Sequence, residues 1–249
     1  SDLAATVLAK AFANFSIPSK GEGFADVKFA WQSEKVCEKI LKDYVHEKKM
    51  TERVETLTPG EWFTDEWKKW TKTLSEWRSR QSQWKDPIKR KQLLAKKKEA
   101  EKKEGEEGEA AAAPMEVNAE DLDVWTEVKD VMDIGSGEPL FANFAYEDWA
   151  LLSIRYELHL LVHGFQKDLN DPERPSFVET HAAYYYNKYF KKAFNVKLFG
   201  VNDLAGLVEL IKESVKINDK NMLECGKSED TPFENFVKLT EDHRRERQR

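Results

Sequence analysis

Cysteine, glycine and proline are scarce in this chain, and it has no long apolar run. It has two cysteines, Cys37 and Cys225, far apart and without a CxxC pair. A disulfide framework and a cysteine-based zinc site are therefore not expected, and a reducing compartment is. Eleven glycines and eight prolines in 249 residues are too few for a turn-rich sandwich or barrel, which leaves helix as the default. No apolar stretch reaches the ~18–20 residues of a bilayer crossing. The longest candidate, 146–165, carries Glu147, Asp148, Arg155, Glu157, His159 and His163. It is expected to be a buried helix, and no membrane partner is expected. The opening SDLAATVLAKAF lacks a basic leader and a long apolar core, so no signal peptide is expected. The abrupt start and the end in HRRERQR suggest a piece of a longer protein.

Charge, by contrast, is abundant. Charged residues make up 35% of the chain, and its net charge is −6. The sign is unevenly distributed: Lys85 to Lys103 holds nine basic residues against three acidic ones, and four glutamates follow by residue 109. The last seven residues contain four arginines. Such asymmetry bears on partners more than the total does. The 40% hydrophobic and 12% aromatic content is enough for a core.

The expected architecture is all-α, with two helical modules: residues 1–103 and 122–249, joined by an acidic, alanine-rich linker at 104–121. That linker has too few apolar anchors to offset the entropy of ordering. In the first module, helices are expected over 3–15 and from an N-cap at Ser33 to about Met50, with a brief extended DVKFAW between them. Thr58-Pro59-Gly60-Glu61 has the pattern of a capping box. After it Phe63, Trp67, Trp70, Leu74, Trp77, Gln81 and Trp84 recur at intervals of three and four, a heptad seam. Asp86-Pro87 should break the helix. In the second module, DLDVWTEVKDVM predicts a helix or short strand, and 144–166 a helix apolar on nearly every face and hence central. Further helices are expected over 176–194, through LAGLVELIKESV after Asn202 or Asp203, and from Thr231-Pro232 to the end.

Several constellations bear on chemistry. VMDIGSGEP at 131–139 resembles the first motif of class I methyltransferases, in which a strand ends in Asp and a G-x-G turn. The resemblance implies S-adenosylmethionine near Asp133, Gly135 and Gly137, although Pro139 stands where a third glycine belongs. His159 and His163 lie one turn apart, a spacing that suits a metal, but Leu160 replaces the glutamate of the zinc-protease pattern. On so apolar a helix, histidines fit hydrogen-bonded core positions, and no metal or cofactor is expected. No GxSxG elbow is present, and neither cysteine has a neighbouring histidine.

The sequence thus predicts a non-enzymatic adaptor or scaffold, nuclear or cytoplasmic, that docks protein partners, in an RNA- or DNA-associated setting. The seam is expected to fill a core, or else to offer partner anchors at Trp62, Trp67, Trp70, Trp77 and Trp84, with Trp62 off the seam the most exposed. An alternative is direct nucleic-acid binding through Lys89, Arg90, Lys91, Lys96, Lys97 and Lys98, to which the terminal arginines would add. A methyltransferase is the more distant alternative.

Overall fold

The computed structural model describes residues 4–105 and 122–249. It is mostly helical, with one two-stranded sheet among the described residues. Helix α1 (Ala5–Ala11) runs into a 3-10 turn, and α2 (Glu34–Thr51) follows an irregular stretch that includes DVKFAW. Helix α3 (Glu61–Lys85) carries the seam, and α4 (Pro87–Gly105) the basic run. The expected break between them is present. Asp86 Oδ1 accepts the Ile88 amide at 2.9 Å, while Pro87 opens α4 at a position where no amide hydrogen is needed. Residues 104 and 105 of the expected linker are the end of α4; the rest, 106–121, lies outside the described residues.

Local patterns gave way where tertiary partners competed. The capping box at Thr58 does not form: Gly60 precedes α3 and donates its amide to Asp168 Oδ2 at 3.0 Å, so a carboxylate from elsewhere caps the helix. Turns replace the helix or strand expected over 122–132. The tyrosine-rich helix is short: α6 (Ala182–Phe190) follows a 3-10 turn and stops at Lys191, which has left-handed φ 56°. Helix α7 (Leu204–Leu210) is capped by Asp203, whose Oδ1 accepts from the Gly206 amide at 2.8 Å. The chain then leaves the helix as β1 (Val215–Ile217), antiparallel to β2 (Leu223–Cys225). Asn218 Oδ1 ties the turn by accepting from Lys220 and Met222.

Helix α5 (Tyr146–Leu169) is the hub, packed against α3, α6, the hairpin and α8 (Phe233–Gln248). Its apolar faces all find neighbours, as its composition requires. Tyr156 stacks on Trp70 at 4.4 Å and meets Phe233 and Phe236 edge-on at 5.1 and 5.3 Å. One hydrophobic core includes Leu57, Phe63, Trp70 and Trp77 together with Val124, Phe141, Tyr156 and Phe236, so it lies on both sides of the 104–121 boundary.

Close approach of α3 to α5 depends on Gly164, where an added Cβ would sit 2.9 Å from Phe63 Cδ2. Gly164→Ala is expected to cost about 1–3 kcal/mol through overpacking. Urea unfolding checks this; an unchanged midpoint would mean that the Phe63 ring moves aside freely.

Candidate docking surfaces

The seam turns its indoles inward. Trp70, Trp77 and Trp84 are buried, at 0%, 3% and 8% exposure. Trp70 meets Trp77 edge-on at 5.9 Å, and Trp77 lies 5.9 Å from Phe141. Trp62 and Trp67 are partly buried against the same core. Lys167 covers the Trp62 ring at 4.9 Å, and Lys192 the Trp67 ring at 4.6 Å. The seam therefore follows its core reading at Trp70 and Trp77, which pack in the core shared with α5, and Trp84 is buried as well. The anchor stripe expected on α3 is not open to a partner at Trp70, Trp77 or Trp84. Trp62, expected to be the most exposed, is half-buried.

The tryptophan that does stand in solvent is Trp31, at 92% exposure, in the irregular run before α2. Periodicity carries no signal for it. It belongs to a segment of unusual character: no described side chain from Ala4 to Thr56 is buried. Yet α2 presents Val36 and Ile40, one turn apart, at 40% and 58% exposure, and Phe24 is 49% exposed. One turn beyond Ile40 along α2, Tyr44 is covered by Phe15, which follows the 3-10 turn and stacks on it at 6.4 Å. Between these elements and the end of α5 lies a groove of about 860 Å³, lined by Phe12, Phe15, Leu41, Val45, Val54 and Leu169 among others.

This N-terminal arm is fastened at its end. Lys49 pairs with Asp171 at 2.6 Å and Glu173 at 2.7 Å, and the Val54 amide donates to Tyr185 Oη at 2.8 Å. The hydrogen bonds to both carboxylates raise the Lys49 ammonium's pKa above its ordinary value. Arg174, 3% exposed, donates to the Glu52 carbonyl. The arm is thus held against α6 and the turn after α5 while its apolar side chains stay outside the core.

No family model, curated protein or solved structure matches this chain. The site has to be read from its own chemistry.

Helix α4 divides the six predicted basic residues. Arg90 lies over the Trp84 ring at 4.4 Å. Lys97 reaches Asp133 Oδ2 at 2.7 Å and the Gly135 carbonyl at 2.8 Å. Lys89, Lys91, Lys96 and Lys98 are exposed. The division follows helical geometry: positions 90 and 97, seven apart, share the face toward the fold, although Arg90 stays exposed, whereas the other four flank it.

The methyltransferase-like turn is what Lys97 grips. Asp133 Oδ1 accepts the amides of Gly135 and Gly137 at 2.8 and 2.7 Å, and Arg80 donates to the Gly137 carbonyl at 3.0 Å. Burial pushes the Asp133 carboxyl up, but Lys97 and the two glycine amides outweigh it and hold it below its ordinary value. Both glycines have positive φ, 115° and 86°. The amides that would face a cofactor are therefore engaged by Asp133. No strand precedes the turn and no helix begins directly after it, so the βαβ setting implied by the resemblance is missing from the described residues.

The terminal arginines are also largely engaged. Arg244 is 3% exposed and forks onto Glu241 at 2.7 Å through Nε and through Nη2. Arg245 binds Glu241 and the Leu122 carbonyl, and Arg247 binds the buried Asp148. Arg245 and Arg247 fasten α8 to the rest of the fold, while Arg244 pairs within the helix, contrary to the expectation that the terminal arginines extend a phosphate-binding surface. No helix among the described residues is long and apolar enough to cross a membrane.

Proposed function

We propose that this protein is a non-enzymatic adaptor that docks a protein partner through its N-terminal arm. The observation that carries the reading is that residues 4–56 contribute no buried side chain among those described, yet expose Trp31, Ile40, Phe24 and Val36. Large apolar side chains left in solvent along an arm that is fastened to the fold fit an interaction site better than a solvated tail. The partner this surface suits is a protein segment with apolar anchors, such as one face of an amphipathic helix.

The test uses the full chain immobilised beside two variants: Trp31→Ala with Ile40→Glu, and Lys89, Lys91, Lys96 and Lys98 all changed to Gln. Partners retained by the wild type would be identified, purified and titrated. The arm variant is expected to lose at least about tenfold in affinity, roughly 1.4 kcal/mol, while its unfolding midpoint moves by less than about 0.5 kcal/mol. The lysine variant should bind normally. A partner that binds the arm variant as tightly as the wild type would overturn the reading.

A second reading, direct RNA or DNA binding, rests on the four exposed lysines of α4. Its signature is affinity for labelled single strands or duplexes that falls steeply with salt, with a log–log slope of about −3 for four phosphate contacts. That slope would flatten in the lysine variant. Binding of this kind in a protein whose arm variant is unimpaired would favour the second reading. The KRK and KKK clusters at 89–91 and 96–98 agree with nuclear import under either reading.

A further inference from the structure

A cluster away from the arm, with His159 buried and His163 and Cys225 half-buried, has the composition of a metal site. The period of α5 sets His159 and His163 one turn apart, with ring centroids 4.5 Å from each other at an interplanar angle of 69°. The β1–β2 hairpin packs on α5 and brings the end of β2 beside them, so that Cys225 joins the pair. One donor atom from each of the three residues lies within 4.8 Å of the other two. Side-chain rotations can draw atoms at such spacings onto one ion, since metal–nitrogen and metal–sulfur bonds of about 2.0–2.3 Å place donors on opposite sides of a common centre.

His159 is 2% exposed, and its Nδ1 has no hydrogen-bond partner. Nδ1 is unpartnered in His181 and His243 as well, but among the described residues only His159 combines that orphaned atom with a group of three potential metal ligands. The His159 ring faces Tyr156 at 6.0 Å and Phe236 at 5.0 Å. Leaving a buried nitrogen unsatisfied costs about 1–3 kcal/mol, and native folds rarely tolerate it without cause. His163 Nε2 lies 3.2 Å from the Lys227 carbonyl. A carbonyl only accepts, so the proton is on Nε2 and the Nδ1 lone pair is free. Metal-bound histidines are held in this way, with the far N–H fixed on a backbone carbonyl. Cys225 Sγ lies 3.6 Å from the His159 carbonyl. Burial raises the pKa of the Cys225 thiol and lowers those of both imidazoles from their ordinary values.

We propose that His159, His163 and Cys225 bind one zinc ion, which ties the β1–β2 hairpin to α5. Two imidazole nitrogens and one thiolate form a borderline-soft donor set that favours Zn²⁺ over Mg²⁺ or Ca²⁺. Binding forms two metal–nitrogen bonds and one metal–sulfur bond. The thiol proton leaves to solvent, and water fills the fourth position. Cys37, on α2 and distant in the chain, takes no part.

The experiment uses the purified full chain, stripped with chelator and titrated with Co²⁺ and with Zn²⁺. Expected are a thiolate-to-cobalt charge-transfer band that saturates at one ion per chain, displacement of Co²⁺ by Zn²⁺, and a raised melting temperature with either ion. Second-layer changes alone weaken metal sites by about 10–100-fold, so Cys225→Ser and His163→Gln should each weaken binding by about 100-fold or more. Cys37→Ser should leave the band unchanged. Cys225→Ser is nearly isosteric, and circular dichroism verifies its fold without metal. Absence of the band in the folded wild type would overturn the proposal, as would a band lost in Cys37→Ser and kept in Cys225→Ser.

Discussion

Replacing Gln81 with leucine is expected to destabilise the fold by about 3–5 kcal/mol, more than most single changes of similar volume. Gln81 lies on the seam and is 8% exposed. Its Nε2 donates to the carbonyls of Phe141, Ala142 and Phe144 at 3.0, 3.2 and 2.8 Å, and its Oε1 accepts from the Trp149 indole at 3.0 Å. Two N–H groups thus serve three carbonyls of the segment that leads into α5, and the same amide accepts from a fourth group in the first turn of α5 itself. Leucine fills the same space and satisfies none of them. Each stranded buried group costs about 1–3 kcal/mol. The four share one site and relax together, so their costs do not simply add. Urea unfolding monitored by circular dichroism measures the loss. A deficit under about 1 kcal/mol would mean that water reaches these carbonyls and that the amide is not what orders the segment.

Gln81 also shows how far the sequence could be read. Its position on the seam followed from spacing, whereas spacing left open whether the seam turned inward or offered partner anchors. The centrality of α5 followed from its all-round apolarity, and the break at Asp86-Pro87 from capping chemistry. What escaped was set by partners remote in the chain. The box at Thr58 was present as a pattern, but Asp168 took the helix end. The run ESVKI fits a helix as well as a strand, and pairing with Leu223–Cys225 decided for the strand. Cys225 is far from His163 in sequence, so no spacing motif could join them; the hairpin did. The arginines of HRRERQR read as an open basic tail although Glu241 lies one turn before Arg244 and Arg245, and nothing local reveals that Asp148 awaits Arg247. The two-module division rested on the composition of 104–121, and composition describes a segment without saying what packs across it.

The contrast between Trp70 and Trp31 separates core from docking surface most sharply. Trp70 is fully buried, stacked on Tyr156 at 4.4 Å and edge-on to Phe233 at 5.5 Å. Trp70→Ala removes the largest side chain of the α3–α5 contact and is expected to cost about 3–5 kcal/mol. At roughly 2–4 °C per kcal/mol for a chain of this size, melting should fall by about 6–20 °C. Trp70→Phe should cost far less than alanine, since the indole N–H has no acceptor and its removal relieves a buried unsatisfied donor while the ring contacts largely persist. Trp31→Ala, at 92% exposure, should move the melting temperature by no more than a degree or two. The two residues thus predict opposite patterns: stability lost with Trp70, partner affinity lost with Trp31. If Trp70→Ala left stability intact and abolished partner binding, the seam would be the docking stripe after all, and α3 would have to part from α5 to present it.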